Sequence, residues 1–371
     1  MAADWTSALE RAREHAPFLA RALERRSDLA GLLAEGEGDE ALLAAKRIET
    51  DDVAIALRRE RLGLALVLAI GDLAGAFDLD KVMRELSAFA DRALHAAIAA
   101  AILRRVPDAE PGGMIGLALG KHGAGELNYS SDIDPILLYD PATLPRRERD
   151  EPGEAAQRYA REVVRLLSEV TSEGYVFRVD LRLRPASEVS PLAIPLDGAI
   201  THYESSALAW ERAAYIKARP CAGDIAAGDR FLETLTPFVW RKHLDFAAIQ
   251  DAHDMRLCIR EHKCLGGGIT LPGHNMKLGR GGIREIEFFT QTRQLIAGGR
   301  DPELRVRGTV EGLARLADKG WIPGDVARVL SGHYRAHREV EHRIQMIGDA
   351  QTHNLPKSPE GMERLACLMG R

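Results

Sequence analysis

The sequence predicts an α+β protein that is predominantly helical and carries one small mixed sheet backed by helices. Three observations lead to this prediction. Residues 1–107 repeat apolar side chains every three to four positions, as amphipathic helices do. A break at Val106–Met114 is followed by three short apolar runs with the length and pattern of strands. Beyond Pro220 the helical periodicity returns, for example over residues 331–350.

The three predicted strands follow one another around a single helix. They begin at Met114 (MIGLALG), at Asp134 (DPILLYD) and at Tyr175 (YVFRVDLRLRP, to Pro185). Residues 155–174 lie between the second and third runs and have the pattern of an amphipathic helix. In the C-terminal part, helices are predicted over residues 223–240 and 331–350, and Gly266–Phe289 is predicted as a Gly-rich loop leading into a helix.

The composition is that of an ordinary globular protein. Of the 371 residues, 46% are hydrophobic and 28% charged, and the net charge of -5 predicts no bulk attraction to nucleic acid. The four cysteines, Cys221, Cys258, Cys264 and Cys367, show no CxxC spacing, which favours reduced thiols over a disulfide or zinc site. The most apolar stretch, Leu62–Phe77, is too short to span a bilayer. We therefore expect a cytoplasmic protein that binds neither nucleic acid nor membrane.

Two carboxylates, Asp132 and Asp134, stand at alternate positions where the second strand is predicted to begin. In a strand they would project to the same side and repel each other. A solvated strand start is the commoner explanation of such a pair, but Asp180 lies on the third predicted strand and supplies another carboxylate. Three acidic groups on neighbouring strands are typical of Mg²⁺ sites, and a pair of such ions can assist phosphoryl displacement. Ser130, Ser131 and the turn at Gly120 would then hold phosphate oxygens.

The spacing of these residues resembles the nucleotidyltransferase superfamily of DNA polymerase beta type. Its signature is a hydrophobic residue and glycine, here Leu119-Gly120, then about ten residues, Asp-hydrophobic-Asp, and a later Asp. The resemblance implies a polymerase beta-like sheet in which Asp132, Asp134 and Asp180 are the catalytic and metal-binding residues. Pro135 departs from the signature, and because proline lacks a ladder donor it predicts a sheet edge or a bulge at that point.

The longer block GKHGAGELNYSSDIDPILLYD resembles the bifunctional glutamine synthetase adenylyltransferase/adenylyl-removing enzymes, which carry two nucleotidyltransferase units. VFRVDLRLRP, WERAAYIKAR and MKLGRGGIREIEFF resemble the N-terminal, adenylyl-removing unit more closely than the adenylylating one. His122 and Ala124-Gly125 depart from the family in the turn. We expect the chain to be the N-terminal half of such an enzyme, with an adenylyltransferase half as its C-terminal partner.

The resemblance implies a reaction and a division of the chain. Phosphate would attack the adenylyl group on a glutamine synthetase tyrosine and release ADP, with two Mg²⁺ or Mn²⁺ ions bound and a PII signalling protein as regulator. The predicted parts are a helical N-terminal region (1–107), a nucleotidyltransferase catalytic domain (108–220) and a helical domain (221–371). In the last of these, the Gly-rich loop 266–283 is expected to contribute to the active site.

A reaction between two anions also needs concentrated positive charge. The residues predicted to bind nucleotide or phosphate are Gly120, Lys121, Ser130, Ser131, Arg182, Arg184, Lys217, Arg219, Lys277 and Arg284. For Arg182 and Arg184, predicted to share a strand face with Asp180, the alternative is a surface ion pair with Glu188 or Asp180. For Lys217 and Arg219 the alternative is a solvated helix end, and Glu285 and Glu287 are either part of the site or stabilisers of the helix start.

Two other functions remain open at this stage: adenylylation of glutamine synthetase from ATP, and a non-catalytic PII-binding module with a vestigial metal site. Two apparent motifs fail. GLALGKH has the wrong glycine spacing for a P-loop, and HREVEH (337–342) is not HExxH. We interpret HREVEH, with His333, as a solvated helix face, and we propose no catalytic histidine.

Overall fold

The computed structural model describes residues 3–242 and 270–371. Within them the predicted class is confirmed: the chain is predominantly helical and has a small mixed sheet. The first part of the predicted Gly-rich loop, residues 266–269, lies outside the described residues, as do Cys258 and Cys264.

The N-terminal region consists of helices, as its periodicity predicts. They are α1 (Trp5–His15), α2 (Pro17–Arg25), α3 (Ser27–Ala34), α4 (Gly38–Lys46), α5 (Val53–Leu73) and α6 (Leu79–Leu103). Aspartates define the starts of the two longest helices in this region. The Asp52 side chain accepts the N–H groups of Ala54 and Ile55, and Asp78 accepts that of Lys81, so helix donors without intrahelical partners are satisfied.

The central region contains both sheets and the helices that cover them. Its elements are β1 (Met114–Ala118), α7 (Gly120–Gly123), β2 (Asp132–Ile133), β3 (Pro135–Tyr139), α8 (Pro152–Ser168), β4 (Arg178–Val179), β5 (Ala193–Pro195), α9 (Leu196–Ser205), α10 (Ala209–Tyr215) and β6 (Arg219–Gly223). The main sheet has the order β5-β3-β1-β6, in which β1 is antiparallel to β3 and β6, and β3 is parallel to β5. Strands β2 and β4 pair in parallel as a separate two-stranded sheet.

The main sheet is buried on both faces, which explains the continuous apolar runs of its strands. In β1, Met114 and Ala118 join a core shared with the N-terminal helices and α8, whereas Ile115 and Leu117 join the core under α9–α11. Helix α6 is the one helix among the described residues that is long and apolar enough to cross a membrane. It packs against α5, α8 and β6, so here its apolar composition belongs to a protein core.

Pro135 is not at a sheet edge. It is the first residue of β3, paired with Ala118 of the central strand β1, and the edge interpretation is wrong. The missing ladder donor is tolerated because the strand begins there. At Asp134, immediately before it, the chain passes from the two-stranded sheet into the main sheet.

The third predicted strand is much shorter than the sequence indicates. Only Arg178–Val179 form a strand, and the prediction that Asp180, Arg182 and Arg184 share one strand face is wrong. The Asp180 side chain accepts the backbone N–H of Arg182 at 2.9 Å, which turns the chain out of the sheet. Such local capture of a backbone donor competes with strand pairing, and the alternating pattern alone does not predict it.

The described residues of the C-terminal part are mainly helical, as predicted. They form α11 (Ile225–Val239), α12 (Ile283–Ala297), a 3₁₀ turn (Pro302–Leu304), α13 (Thr309–Asp318), α14 (Gly324–Gly348) and α15 (Pro359–Leu368). The prediction for the HREVEH segment of α14 is wrong. His333 is exposed, but Arg338, Glu341 and His342 are fully buried, because α14 packs against α2, α6, α12 and α13.

Candidate active site

The three predicted carboxylates lie together at the junction of the two sheets. Asp132 begins β2, Asp134 separates β2 from β3, and Asp180 directly follows β4. The backbone N–H of Asp180 donates to the carbonyl of Ile133 at 2.9 Å, which fixes Asp180 beside the other two. One oxygen of each carboxylate lies within 4.8 Å of one oxygen of each of the others.

Asp134 is largely buried and lies beside two like charges. Burial and the adjacent charges of Asp132 and Asp180 raise the pKa of Asp134 to about 6. The pKa of Asp180 is lowered instead, mainly because Arg182 donates hydrogen bonds to its carboxylate. Arg182 is 84% exposed, so this ion pair lies at the surface. It is the ion pair with Asp180 that was the alternative to phosphate binding by Arg182.

A turn brings Gly120 and Lys121 against this group. Gly120 has φ of 55°, a conformation that favours glycine, and a Cβ there would lie 3.3 Å from Asp134 Oδ2, so that carboxylate would have to shift by a few tenths of an ångström. Lys121 Nζ donates to Asn128 Oδ1 at 2.6 Å and lies 3.8 Å from Glu341 Oε1. Burial lowers the pKa of Lys121 to about 8.

The Gly-rich loop contributes Lys277 to the same place. Lys277 is close enough for its charge to lower the pKa of Asp134, against the effect of burial, and that of Lys121. Asn275 shapes the loop, because its Oδ1 accepts the N–H groups of Lys277 and Leu278 at 3.1 and 2.7 Å. At the start of α12, Glu285 accepts the N–H of Gly281 at 3.0 Å. This contact fits the alternative in which Glu285 stabilises the start of the helix.

Three other predicted binding residues, Ser130, Arg184 and Arg219, make structural contacts, and a fourth, Ser131, is buried. Ser130 is buried, donates its N–H to Gln345 and accepts from Arg178, and Ser131 is also buried. Arg184 donates to the carbonyls of residues 181, 187, 190 and 191. Arg219 donates to both oxygens of Asp91, at 2.9 Å each. Their predicted role in phosphate binding stays a prediction.

Lys217 lies in a buried ionic network. The alternative that Lys217 belongs to a solvated helix end is therefore wrong. We define this network as Glu126, Lys217, Glu287, Arg338 and Glu341. Lys217 Nζ donates to Glu287 Oε1 at 2.7 Å and lies 3.6 Å from Glu126 Oε2. Burial alone would raise the pKa of Glu287, but Lys217 and, further off, Arg284 lower it to about 2.

Helix α14 completes the network. Arg338 donates to the carbonyl of Glu126 at 2.6 Å and pairs with Glu341 at 3.2 Å, while the Tyr334 hydroxyl donates to Glu126 Oε2 at 2.9 Å. The sequence predicted no role for Glu126, Arg338, Glu341 or Tyr334, because they come from segments some 200 residues apart. The one available signal was the density of charged residues in α14, which the solvated-face interpretation set aside.

A second group in the described residues, Asp91, His122 and Cys221, also has metal-ligand composition. Arg219 pairs with both oxygens of Asp91, so a metal ion would have to displace a guanidinium. Burial also raises the pKa of the Cys221 thiol, which disfavours the thiolate that a metal needs. We interpret the group as structural: His122 Nε2 lies 2.7 Å from Asp91 Oδ1 and fastens α7 to α6.

A mixed sheet flanked by helices, with three carboxylates where it meets a two-stranded sheet, is the architecture expected of a nucleotidyltransferase. Comparison with known families agrees and is more specific. The model described as glutamate-ammonia ligase adenylyltransferase matches residues 9–234, and the model described as GlnD PII-uridylyltransferase matches residues 254–371. The chain belongs to the glutamate-ammonia ligase adenylyltransferase family, which confirms the resemblance noted in the sequence.

Individual relatives point the same way. The chain is 47% identical to the bifunctional glutamine synthetase adenylyltransferase/adenylyl-removing enzyme of Rhizobium meliloti, a match that covers 94% of this chain and 36% of the relative. The enzyme of the same name from Caulobacter vibrioides is 48% identical, with 92% and 35% covered. That of Mesorhizobium japonicum is 46% identical, with 88% and 34% covered. The chain thus spans about a third of the length of these relatives.

Proposed function

We propose that this chain removes adenylyl groups from a tyrosine of glutamine synthetase by phosphorolysis, releasing ADP and the free tyrosine. The observation that carries the proposal is the group of Asp132, Asp134 and Asp180 with Lys121 and Lys277 beside it. Carboxylates and lysines together match a reaction in which an anion attacks a phosphorus atom. The blocks VFRVDLRLRP and MKLGRGGIREIEFF favour the adenylyl-removing direction.

The three carboxylates fit divalent cations. Oxygen ligands at this spacing suit Mg²⁺ or Mn²⁺, and the raised pKa of Asp134 marks negative charge that a cation would neutralise. We propose that Asp132, Asp134 and Asp180 hold two such ions. When bound, the ions supply charge stabilisation for displacement at phosphorus. Arg182 would release Asp180 for this purpose, and its exposed position allows it to do so.

The chain's own cations bring the two anions together. Lys121 and Lys277 would offset the repulsion between inorganic phosphate and the adenylyl group, since buried positive charge acts strongly where water is excluded. Gly120 keeps the turn close to Asp134 without a side chain in the way. The tyrosine that leaves has an ordinary pKa of about 10, so it needs little proton assistance once its oxygen is neutralised.

We also propose the partners that the family implies. An adenylyltransferase half would account for part of the additional length of the relatives, which carry a bifunctional name and of which this chain covers about a third. A PII signalling protein is the proposed regulator, in keeping with the match of residues 254–371 to a model described as a PII-uridylyltransferase. The proposed location is the cytoplasm.

The test incubates the chain with adenylylated glutamine synthetase, Mg²⁺ and phosphate, and measures ADP. Wild type should release ADP, and Asp132→Ala with Asp134→Ala should reduce the rate by about 10³-fold or more. Asp108→Asn, at an exposed site away from the carboxylates, is the control and should match wild type. Pyrophosphate from ATP in place of ADP would favour adenylylation, and failure to bind Mg²⁺ or Mn²⁺ would favour a non-catalytic module.

A further inference from the structure

The two lysines that flank the carboxylates come from different parts of the fold. Lys121 is on α7, next to the main sheet, and Lys277 is on the Gly-rich loop more than 150 residues later. The side chain of Glu341, on α14, contacts Lys121 directly and, through His353, the loop that carries Lys277. This residue has no role in the function proposed above, and it is fully buried.

The first connection runs from Glu341 to Lys121. Glu341 Oε1 lies 3.8 Å from Lys121 Nζ, and Asn128 Oδ1 accepts from the same ammonium at 2.6 Å. Asn128 is tied to α14 as well, because its Nδ2 donates to Gln345 Oε1 at 3.2 Å. Helix α14 therefore holds the Lys121 ammonium from two positions one turn apart.

The second connection runs from Glu341 to the loop. Glu341 Oε1 lies 2.5 Å from His353 Nδ1, and the carbonyl of His353 accepts the N–H of Met276 at 2.7 Å. The next residue, Asn354, accepts a hydrogen bond from the Asn275 side chain at 2.7 Å. Asn275 is the residue whose Oδ1 shapes the turn at Lys277, so the chain of contacts ends at the second lysine.

Glu341 is itself held in place. Arg338, three residues earlier on α14, pairs with its other oxygen at 3.2 Å, and both side chains are fully buried. A buried carboxylate is costly unless it is paired, and pairing on several sides fixes its position. The geometry of these contacts makes Glu341 the common anchor of two cations that arrive from separate segments.

We propose that Glu341 is a positioning residue, which sets the distance of Lys121 and of Lys277 from the carboxylates and thereby the affinity for the phosphate that they bind together. The reaction rests on the proposed function, but the positioning role concerns only how the two lysines hold a phosphate group.

The test uses Glu341→Gln, which keeps the shape of the side chain and removes its charge. We expect the KM for inorganic phosphate to rise by about 10–100-fold while kcat and the KM for adenylylated glutamine synthetase change less than threefold. Glu339→Gln, two residues earlier on the same helix and half-exposed, is the matched control and should leave all three unchanged. A uniform loss of kcat with unchanged KM for phosphate would overturn the proposal.

A double-mutant cycle excludes a purely structural effect. If Glu341 acts through Lys121, Glu341→Gln should raise the KM for phosphate clearly less in a Lys121→Met background than in wild type. Independent effects that multiply would contradict the proposal.

Direct titration separates this proposal from the proposed function. Inorganic phosphate and ATP are each titrated, with Mg²⁺, into wild type and Glu341→Gln. If wild type releases no ADP but the variant binds either probe more weakly, the proposed function fails and the positioning role stands. If wild type releases ADP and the variant binds both probes as wild type does, the positioning role fails.

Discussion

Two regions of the molecule hold carboxylates together with lysine and arginine side chains: the carboxylate group at the sheet junction and the buried ionic network. The pKa of a carboxylate is raised in the first region and lowered in the second. In the first, Asp134 faces two other carboxylates, and its pKa is raised to about 6. In the second, Glu287 is also largely buried, yet Lys217 holds its pKa at about 2. Burial is therefore not what distinguishes the two regions. Each carboxylate of the network has a cation of the chain within 3.6 Å, so we call the network the balanced region. Asp134 instead faces two carboxylates, so we call the carboxylate group the unbalanced region, whose charge a ligand can neutralise.

Removing one partner from the balanced region should have the largest effect on stability. Lys217→Met leaves Glu287 buried without its hydrogen-bonded cation, so we expect the free energy of unfolding to fall by about 3–5 kcal/mol. Urea denaturation measures this. The matched control is Lys319→Met, since Lys319 contacts Glu303 at the same 2.7 Å distance but at the surface. Its loss should be far smaller, because solvent screens a pair at the surface.

The double variant Lys217→Met with Glu287→Leu sharpens that result. If the loss arises from an uncompensated charge, removing Glu287 as well should recover part of the stability. Equal losses for Lys217 and Lys319 would show that the buried network is no different from a surface ion pair.

The unbalanced region should respond to pH in the opposite sense from a salt-bridged carboxylate. Asp134 has a folded-state pKa of about 6 and an ordinary value of 3.8, so the folded protein binds the proton more tightly than the unfolded chain. Ionisation above pH 6 therefore opposes folding by about 3 kcal/mol, and this penalty fades as the pH falls from 6 to below 4.

Asp134→Asn removes the ionisation, so without metal it should be more stable than wild type at pH 7.5, and the difference should vanish near pH 4. Urea denaturation of both proteins in a chelator, at several pH values, measures the difference. Mg²⁺ should narrow it at pH 7.5, because bound cations stabilise only wild type. A difference between Asp134→Asn and wild type that stays constant with pH would contradict the interpretation.

Gly120 and Gly125 allow a finer separation of strain from function. Both have positive φ, 55° and 72°, so alanine at either position should cost about 1–2 kcal/mol of stability. Only at Gly120 would the new Cβ meet Asp134, at 3.3 Å, whereas nothing lies within 4 Å at Gly125. ADP release should therefore fall in Gly120→Ala and stay near wild type in Gly125→Ala. Equal activities would show that the turn does not act on Asp134.

The sequence predicted the unbalanced region well and the balanced one poorly, for a physical reason. Asp132 and Asp134 are two residues apart and Asp180 follows an apolar run, so local patterns sufficed to bring them together. The network joins Glu126 to Arg338 and Glu341 across the whole chain, and helical periodicity cannot show that a charged face is covered by other segments. The turn at Asp180 was missed for a different reason, since a side-chain hydrogen bond overrode a strand-like pattern.

Arg182 should show the smallest effect on stability, and it tests how the unbalanced region is prepared for its ligands. The side chain is 84% exposed and pairs with Asp180, so Arg182→Ala should change the free energy of unfolding by at most about 1 kcal/mol. Because the guanidinium bonds to both oxygens of Asp180, it competes there with a cation. Without substrate, Mg²⁺ should therefore bind the variant up to about fivefold more tightly, the equivalent of about 1 kcal/mol.

Phosphate binding should weaken in Arg182→Ala if Arg182, once displaced from Asp180, binds phosphate as predicted. The KM for phosphate should then rise in Arg182→Ala even though metal binding improves. Arg182→Lys keeps the charge but loses the paired geometry, so its KM for phosphate should lie between those of wild type and Arg182→Ala. Calorimetric titration of Mg²⁺ and steady-state assays of ADP release measure the two effects separately. Tighter metal binding with an unchanged KM would instead mean that Arg182 serves only as an internal counter-ion, which holds Asp180 in place until a cation replaces it.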